Sequence, residues 1–162
     1  MPVLTTTLNY PHEFRPVPRF LLDVPADWKL LEYPGALFAV SSVDPEAPWM
    51  NIIVSHERIV VGTHDDVLKR RYTDLIAKYD DISVEPEKGF RLDDIEFIGR
   101  DSTYTDPDMG VSVNRFEAST TAPNRIGLLV DDLFTLTFLV PGGPSSPHTQ
   151  KVLDALTSFR FA

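Results

Sequence analysis

The chain contains no cysteine at all. Disulfides, zinc fingers, iron–sulfur clusters and thiol nucleophiles all need a thiolate, so each is excluded. Basic residues are also scarce. Lys plus Arg total 15 against 24 Asp plus Glu, a formal net charge of −9. A phosphate backbone is bound through a basic face, so nucleic acid is not an expected partner. No apolar run approaches the ~20 residues needed to span a bilayer. No Lys or Arg precedes Arg15. The basic region and apolar stretch of a secretory signal are therefore missing, and the expected location is cytoplasmic.

What is present is an ordinary globular composition, 43% hydrophobic and 24% charged over 162 residues. Area scaling gives about 70% of the unfolded surface buried in one domain of this size, enough for a core without staples. Residues 1–18 read as a proline-rich arm, with Pro2, Pro11, Pro16 and Pro18 each removing a backbone donor. That pattern fits either an extended edge on the domain or a free tail. Residues 19–162 read as a single domain.

Strands are expected at residues 20–24, 28–30, 36–40 and 50–54, separated by the turns Pro25-Ala26-Asp27 and Pro34-Gly35 and by a polar loop over residues 44–48. A helix follows. Leu68, Tyr72, Leu75, Ile76 and Tyr79 share one face at period 3.6, with Lys69, Arg70 and Arg71 on the other side. Thr63 is its expected N-cap, with Asp65 and Asp66 in the first turn. Residues 82–120 read as strands punctuated by Gly89 and Gly99, with a turn at Asp106-Pro107-Asp108-Met109-Gly110. Residues 126–130 and 133–140, joined by Asp131-Asp132, are either a hairpin or one bulged strand. Ser146-Pro147 opens a second helix carrying Val152, Leu153, Leu156 and Phe159. Strands that follow one another through turns imply an α+β fold, a central antiparallel β-sheet with helices packed on its faces.

Ordered features carry a family resemblance. A strand runs into Val24-Pro25-Ala26-Asp27-Trp28, then come Phe38-Ala39-Val40, Asn51-Ile52-Ile53-Val54 and the helix opening near Thr63. The pattern closes on Val152-Leu153-Asp154-Ala155-Leu156-Thr157-Ser158-Phe159. Over about residues 19–161 the chain resembles the Mog1/PsbP-like α/β/α sandwich group, and within it the actinobacterial LpqN-type proteins. The resemblance implies binding or assembly factors rather than enzymes, and for LpqN-type members a link to envelope lipids. Those lipoproteins carry an acylated cysteine, which this chain lacks.

No catalytic constellation stands out. Ser55, His56 and Glu57 adjoin, but neighbours on a strand point to opposite faces, so His56 reads as a strand-end polar residue. Asp106, Asp108 and Glu117 resemble a calcium loop, yet Val111 stands where the sharp-turn glycine is needed. The pairs Asp65-Asp66, Asp80-Asp81, Asp93-Asp94 and Asp131-Asp132 read as capping and turn residues at element boundaries, with an acidic docking face as the lesser reading. Trp28 reads as structural. Trp49 and Met50, beside the proline-bounded loop, are the candidate partner- or ligand-binding residues. The expected function is a non-catalytic adaptor or chaperone-type module that engages a partner protein. A carrier of a lipid or amphiphile is the alternative. No metal or cofactor is expected.

Overall fold

A computed structural model describes residues 17–43, 50–123, 129–142 and 148–162. The arm over residues 1–16, Trp49 and the Ser146-Pro147 cap lie outside the described residues. The elements follow in chain order: β1 (Phe20–Leu21), β2 (Lys29–Leu30), β3 (Ala36–Ser41), β4 (Asn51–Val60), α1 (His64–Lys78), β5 (Ser83–Val84), β6 (Lys88–Leu92), β7 (Ile95–Thr105), β8 (Ser112–Thr121), β9 (Val130–Pro141), α2 (Thr149–Ser158) and β10 (Arg160–Phe161). The sheet runs β2-β3-β4-β9-β8-β7-β5, with β6 on the remaining length of β7, and all pairs are antiparallel. The α+β class expected from the sequence is observed.

The long central strand β9 separates two unlike faces. Phe134, Leu136, Phe138 and Val140 point to one side and join Ile52, Val54, Ala118 and the α2 residues Val152, Ala155 and Leu156 in the main core. Thr135 points to the other side, where Arg71 of α1 reaches it, and Leu133 packs there with Ile59 and Val67. One helix therefore covers each face. On the α2 face β1 pairs with β10, setting Phe20 opposite Phe161. Both rings pack edge-on against Phe134, with centroids 5.6 and 5.5 Å away.

Several elements differ from expectation. Strand β4 does not stop at Val54 but runs to Val60, so His56 sits in mid-strand opposite Phe134. Asp131 and Asp132 are no boundary: both lie inside β9. Thr63 does precede α1, but its hydroxyl donates to the Val60 carbonyl (2.6 Å) instead of capping the helix. Within α1, Val67 is buried whereas Ile76 is 51% exposed. Arg71 turns inward because the sheet face beneath it is polar. Among the described residues no helix is long and apolar enough to cross a membrane.

Candidate functional site

The α2 face opens into an apolar groove where α2 crosses β6, β7 and β8. Its volume is about 280 Å³. Phe90 and Leu92 of β6, Phe116 of β8, and Leu153 and Leu156 of α2 form the walls, and Gly99 of β7 lies on the floor. The sequence makes this hollow by leaving out one side chain. A Cβ placed on Gly99 would stand 2.7 Å from Phe90 Cε1 and 3.1 Å from Phe116 Cζ. Gly99 is therefore no break between strands but a mid-strand close approach. Phe90 is held by stacking on Phe97 (5.3 Å, 12°) and Phe116 by stacking on Phe138 (6.2 Å). Leu153 stays 45% exposed at the opening.

Polar groups gather only at the mouth. Glu85 follows β5, and its N–H donates to the Asp101 carbonyl (2.9 Å), which sets the two carboxylates side by side on adjacent strands. Burial pushes the Asp101 carboxyl above the usual range and Glu85 adds to this, while Lys88 and Asn114 oppose it. Lys88, opposite Gly99, completes the rim. Arg100 touches the groove too, but its guanidinium lies on the opposite face, 3.9 Å over the Tyr72 ring and 3.4 Å from Glu87.

Under α1 the sheet is polar. Arg71 donates to Thr135 Oγ1 (2.6 Å) and Glu57 Oε2 (2.7 Å), and Arg115 is bound to Glu117. Arg71, Arg115, Glu117 and Thr135, with Ser55, Thr137 and Tyr33, line a depression of about 230 Å³. Both guanidiniums are held by carboxylates, Arg115 by Glu117 within the depression and Arg71 by Glu57 outside it. Burial, with Glu117 nearby, raises the Tyr72 phenol, and burial likewise pushes Tyr104 up to about 12, with Tyr79 stacked on it at 3.9 Å.

A third cluster lies back on the α2 face. Asp132, 0% exposed, accepts from His56 Nε2 (2.7 Å) and Arg58 Nε (3.3 Å). The His56 ring leans on Phe134, centroids 5.1 Å apart. Ser55 points to the other face, its hydroxyl directed at the Thr135 carbonyl (3.5 Å), so serine and histidine do not meet. The strand-end reading of His56 gives way to a half-buried mid-strand residue, hydrogen-bonded to a partner 76 positions away.

The other residues singled out in the sequence fall as follows. Met50 is 0% exposed and packs in the main core; Trp49 beside it lies outside the described residues. Trp28 is partly buried against the same core. Asp106 Oδ1 accepts the N–H groups of Asp108 and Met109 (both 2.9 Å) and so builds the turn, whose Gly110 has φ 66°. Glu117 is bound to Arg115 instead. Among the described residues no three His, Asp or Glu side chains are grouped to hold a metal. Asp65 and Asp66 open α1, Asp81 accepts the Thr105 N–H (3.1 Å), and Asp93 takes φ 53° in the β6–β7 turn. The groove residues were not among the sequence candidates. The available signal was Gly99, a glycine inside an apolar strand.

No family model and no curated protein matches the sequence. Among solved structures the chain is similar to LpqN, a Mycobacterium tuberculosis protein involved in cell envelope biogenesis, at 14% identity. The match covers 90% of this chain and 84% of that one, with a TM-score of 0.61. The fold described above is thus an LpqN-like fold.

Proposed function

We propose that the protein is a non-catalytic binding module of the Mog1/PsbP-like kind, which engages a partner protein through the groove between α2 and strands β6–β8. The observation that carries this is the groove itself: apolar walls, a floor left open by Gly99, and Leu153 exposed at the entrance. Apolar surface left uncovered at a concave site is stabilised by an occupant. About 280 Å³ lies at the small end of ligand pockets. It suits one or two large side chains, the kind of anchor that dominates protein interfaces.

A second reading is a carrier of a lipid or amphiphile. It is favoured by the separation of an apolar interior from a charged mouth, which matches a molecule with one apolar and one wet end. The envelope role of LpqN, a protein of the same fold, points the same way.

A photo-crosslinking residue at position 153 tests the groove, with one at position 76, exposed on α1, as control. The expected result in native cells is a discrete adduct from position 153 alone, lost in Thr157→Trp, which fills the entrance. A protein-sized adduct supports the partner reading, and a lipid-sized adduct by native mass spectrometry supports the carrier. Equal labelling from both positions, or labelling untouched by Thr157→Trp, rules out the groove. Fractionating the same cells separates the cytoplasmic location expected from the sequence from an envelope location.

A further inference from the structure

The mouth of the groove has a definite electrostatic sign, and it follows from which face of the sheet each side chain takes. Four charged residues border the opening: Glu85, Lys88, Arg100 and Asp101. Taken by type they cancel. The strand register removes one of them. Arg100 pairs with Glu117 across β7–β8, so it shares the α1 face with Glu117, and it is spent there on Tyr72 and Glu87. Asp101 pairs with Phe116 and so shares the groove face with it. Glu85, beside Asp101 on the neighbouring strand, and Lys88, opposite Gly99, stay with the groove. Two carboxylates and one ammonium therefore face the opening.

Like charges on adjacent strands repel, and the one ammonium of Lys88, which acts on Asp101 from the same rim, leaves the two carboxylates with one negative charge in excess. Asp101 is partly withdrawn from water, which strengthens its response to any charge brought near. A cation placed above the pair removes that repulsion. The same cation is attracted by a chain whose formal net charge is −9.

We infer that the groove selects a partner segment in which a large apolar side chain is flanked by Lys or Arg, the apolar group filling the hollow over Gly99 and the cation lying between Glu85 and Asp101. This rests on the groove being the binding site, and it adds the chemistry of the occupant. The opposite pattern, an apolar anchor flanked by acids, is disfavoured by the same two carboxylates.

Three labelled synthetic peptides test it by fluorescence anisotropy with the full chain. They share one apolar core of Phe and Leu and differ only in flanking residues: Lys, Gln or Glu. The Lys peptide is expected to bind about ten-fold tighter than the Glu peptide, with the Gln peptide between them. Raising the salt narrows the gap, because the mouth is open to solvent. In the Glu85→Gln, Asp101→Asn double variant the three affinities converge to within about two-fold, while Thr157→Trp weakens all three together. Equal affinities for the unaltered chain, or tightest binding of the Glu peptide, overturn the charge selection and leave the groove standing as the site. No binding of any peptide, or binding indifferent to Thr157→Trp, overturns the groove and this inference with it. Circular dichroism and thermal melts of each variant establish that a lost signal is not a lost fold.

Discussion

Gly99→Ala is the sharpest probe of how the groove is made. The new methyl carbon lies 2.7 Å from Phe90 Cε1 and 3.1 and 3.2 Å from two atoms of Phe116. Comfortable carbon–carbon contact is about 3.5–4.0 Å, so both rings must retreat. Phe90 has little room to do so. It is stacked on Phe97, which is 2% exposed and itself packs edge-on against Phe159 at 6.0 Å. Overpacking of this kind costs about 1–3 kcal/mol. Replacing glycine in a strand returns roughly 0.5–1 kcal/mol of backbone entropy. The net expectation is a loss centred near 1 kcal/mol, within about 0–2.5 kcal/mol. For a chain of this size a loss of about 1 kcal/mol lowers Tm by roughly 2–4 °C. Phe90→Leu removes the atom that meets the methyl, so combining it with Gly99→Ala is expected to show a coupling of about 1 kcal/mol in a double-mutant cycle. Urea denaturation of the four proteins measures it. If Gly99→Ala is neutral or stabilising and the two changes add within about 0.5 kcal/mol, the close approach at Gly99 is not what shapes the groove.

Asp132→Ala is expected to cost about 1–3 kcal/mol by urea denaturation, because it removes the fully buried acceptor that His56 Nε2 meets at 2.7 Å. A loss below 1 kcal/mol would mean the cluster contributes nothing. Tyr104, raised from 10.0 to about 12, favours the neutral phenol in the fold. Its stabilisation is complete below the unfolded value of 10.0 and disappears as pH rises through about 12, so urea midpoints should fall across that window and fall less in Tyr104→Phe. Asp101, raised above 3.8 by burial, favours its protonated form when folded, so its ionisation works against the fold at neutral pH. Asp101→Asn should therefore raise Tm at pH 7, by a margin that closes on acidification below 3.8, and an unchanged Tm refutes the assignment.

The strand order of types and the two helices were legible because period-2 and period-3.6 patterns are local. What lay beyond reach was set by partners far along the chain. Arg71 counts as an outward residue on any helical wheel, yet it is drawn inward by Glu57 and by Thr135, 64 positions on. Ser55-His56-Glu57 looks too polar to continue a buried strand. It continues because each of its faces meets polar groups supplied by α1 or β9. Asp131-Asp132 has the composition of a turn, and the hydrogen bonds from His56 and Arg58 of β4 help to hold Asp132 inside β9. The placement of Met50 beside the proline-bounded loop has a related cause. Met50 enters the sheet at once, its carbonyl accepting the Ser42 N–H (2.8 Å), and the side chain goes with it into the core. The groove was invisible because it is made of ordinary core residue types, and its cause is an atom that glycine does not have.

The pairing of β1 with β10 has a consequence in time rather than in space. Phe20 meets Phe161, the Asp23 N–H donates to Ser158 Oγ (2.8 Å), and the Ala162 N–H donates to the Arg19 carbonyl (2.9 Å). These contacts span nearly the whole described sequence. A chain emerging from the ribosome can lay down α1 and much of the large sheet while the apolar side of β9 still has no cover. Only when residues 149–161 are released can α2 and the β1–β10 pair close over it. The apolar side of β9 therefore stays open until residues 149–161 have been added, and removing residues 159–162 is expected to uncover Phe134 and promote aggregation.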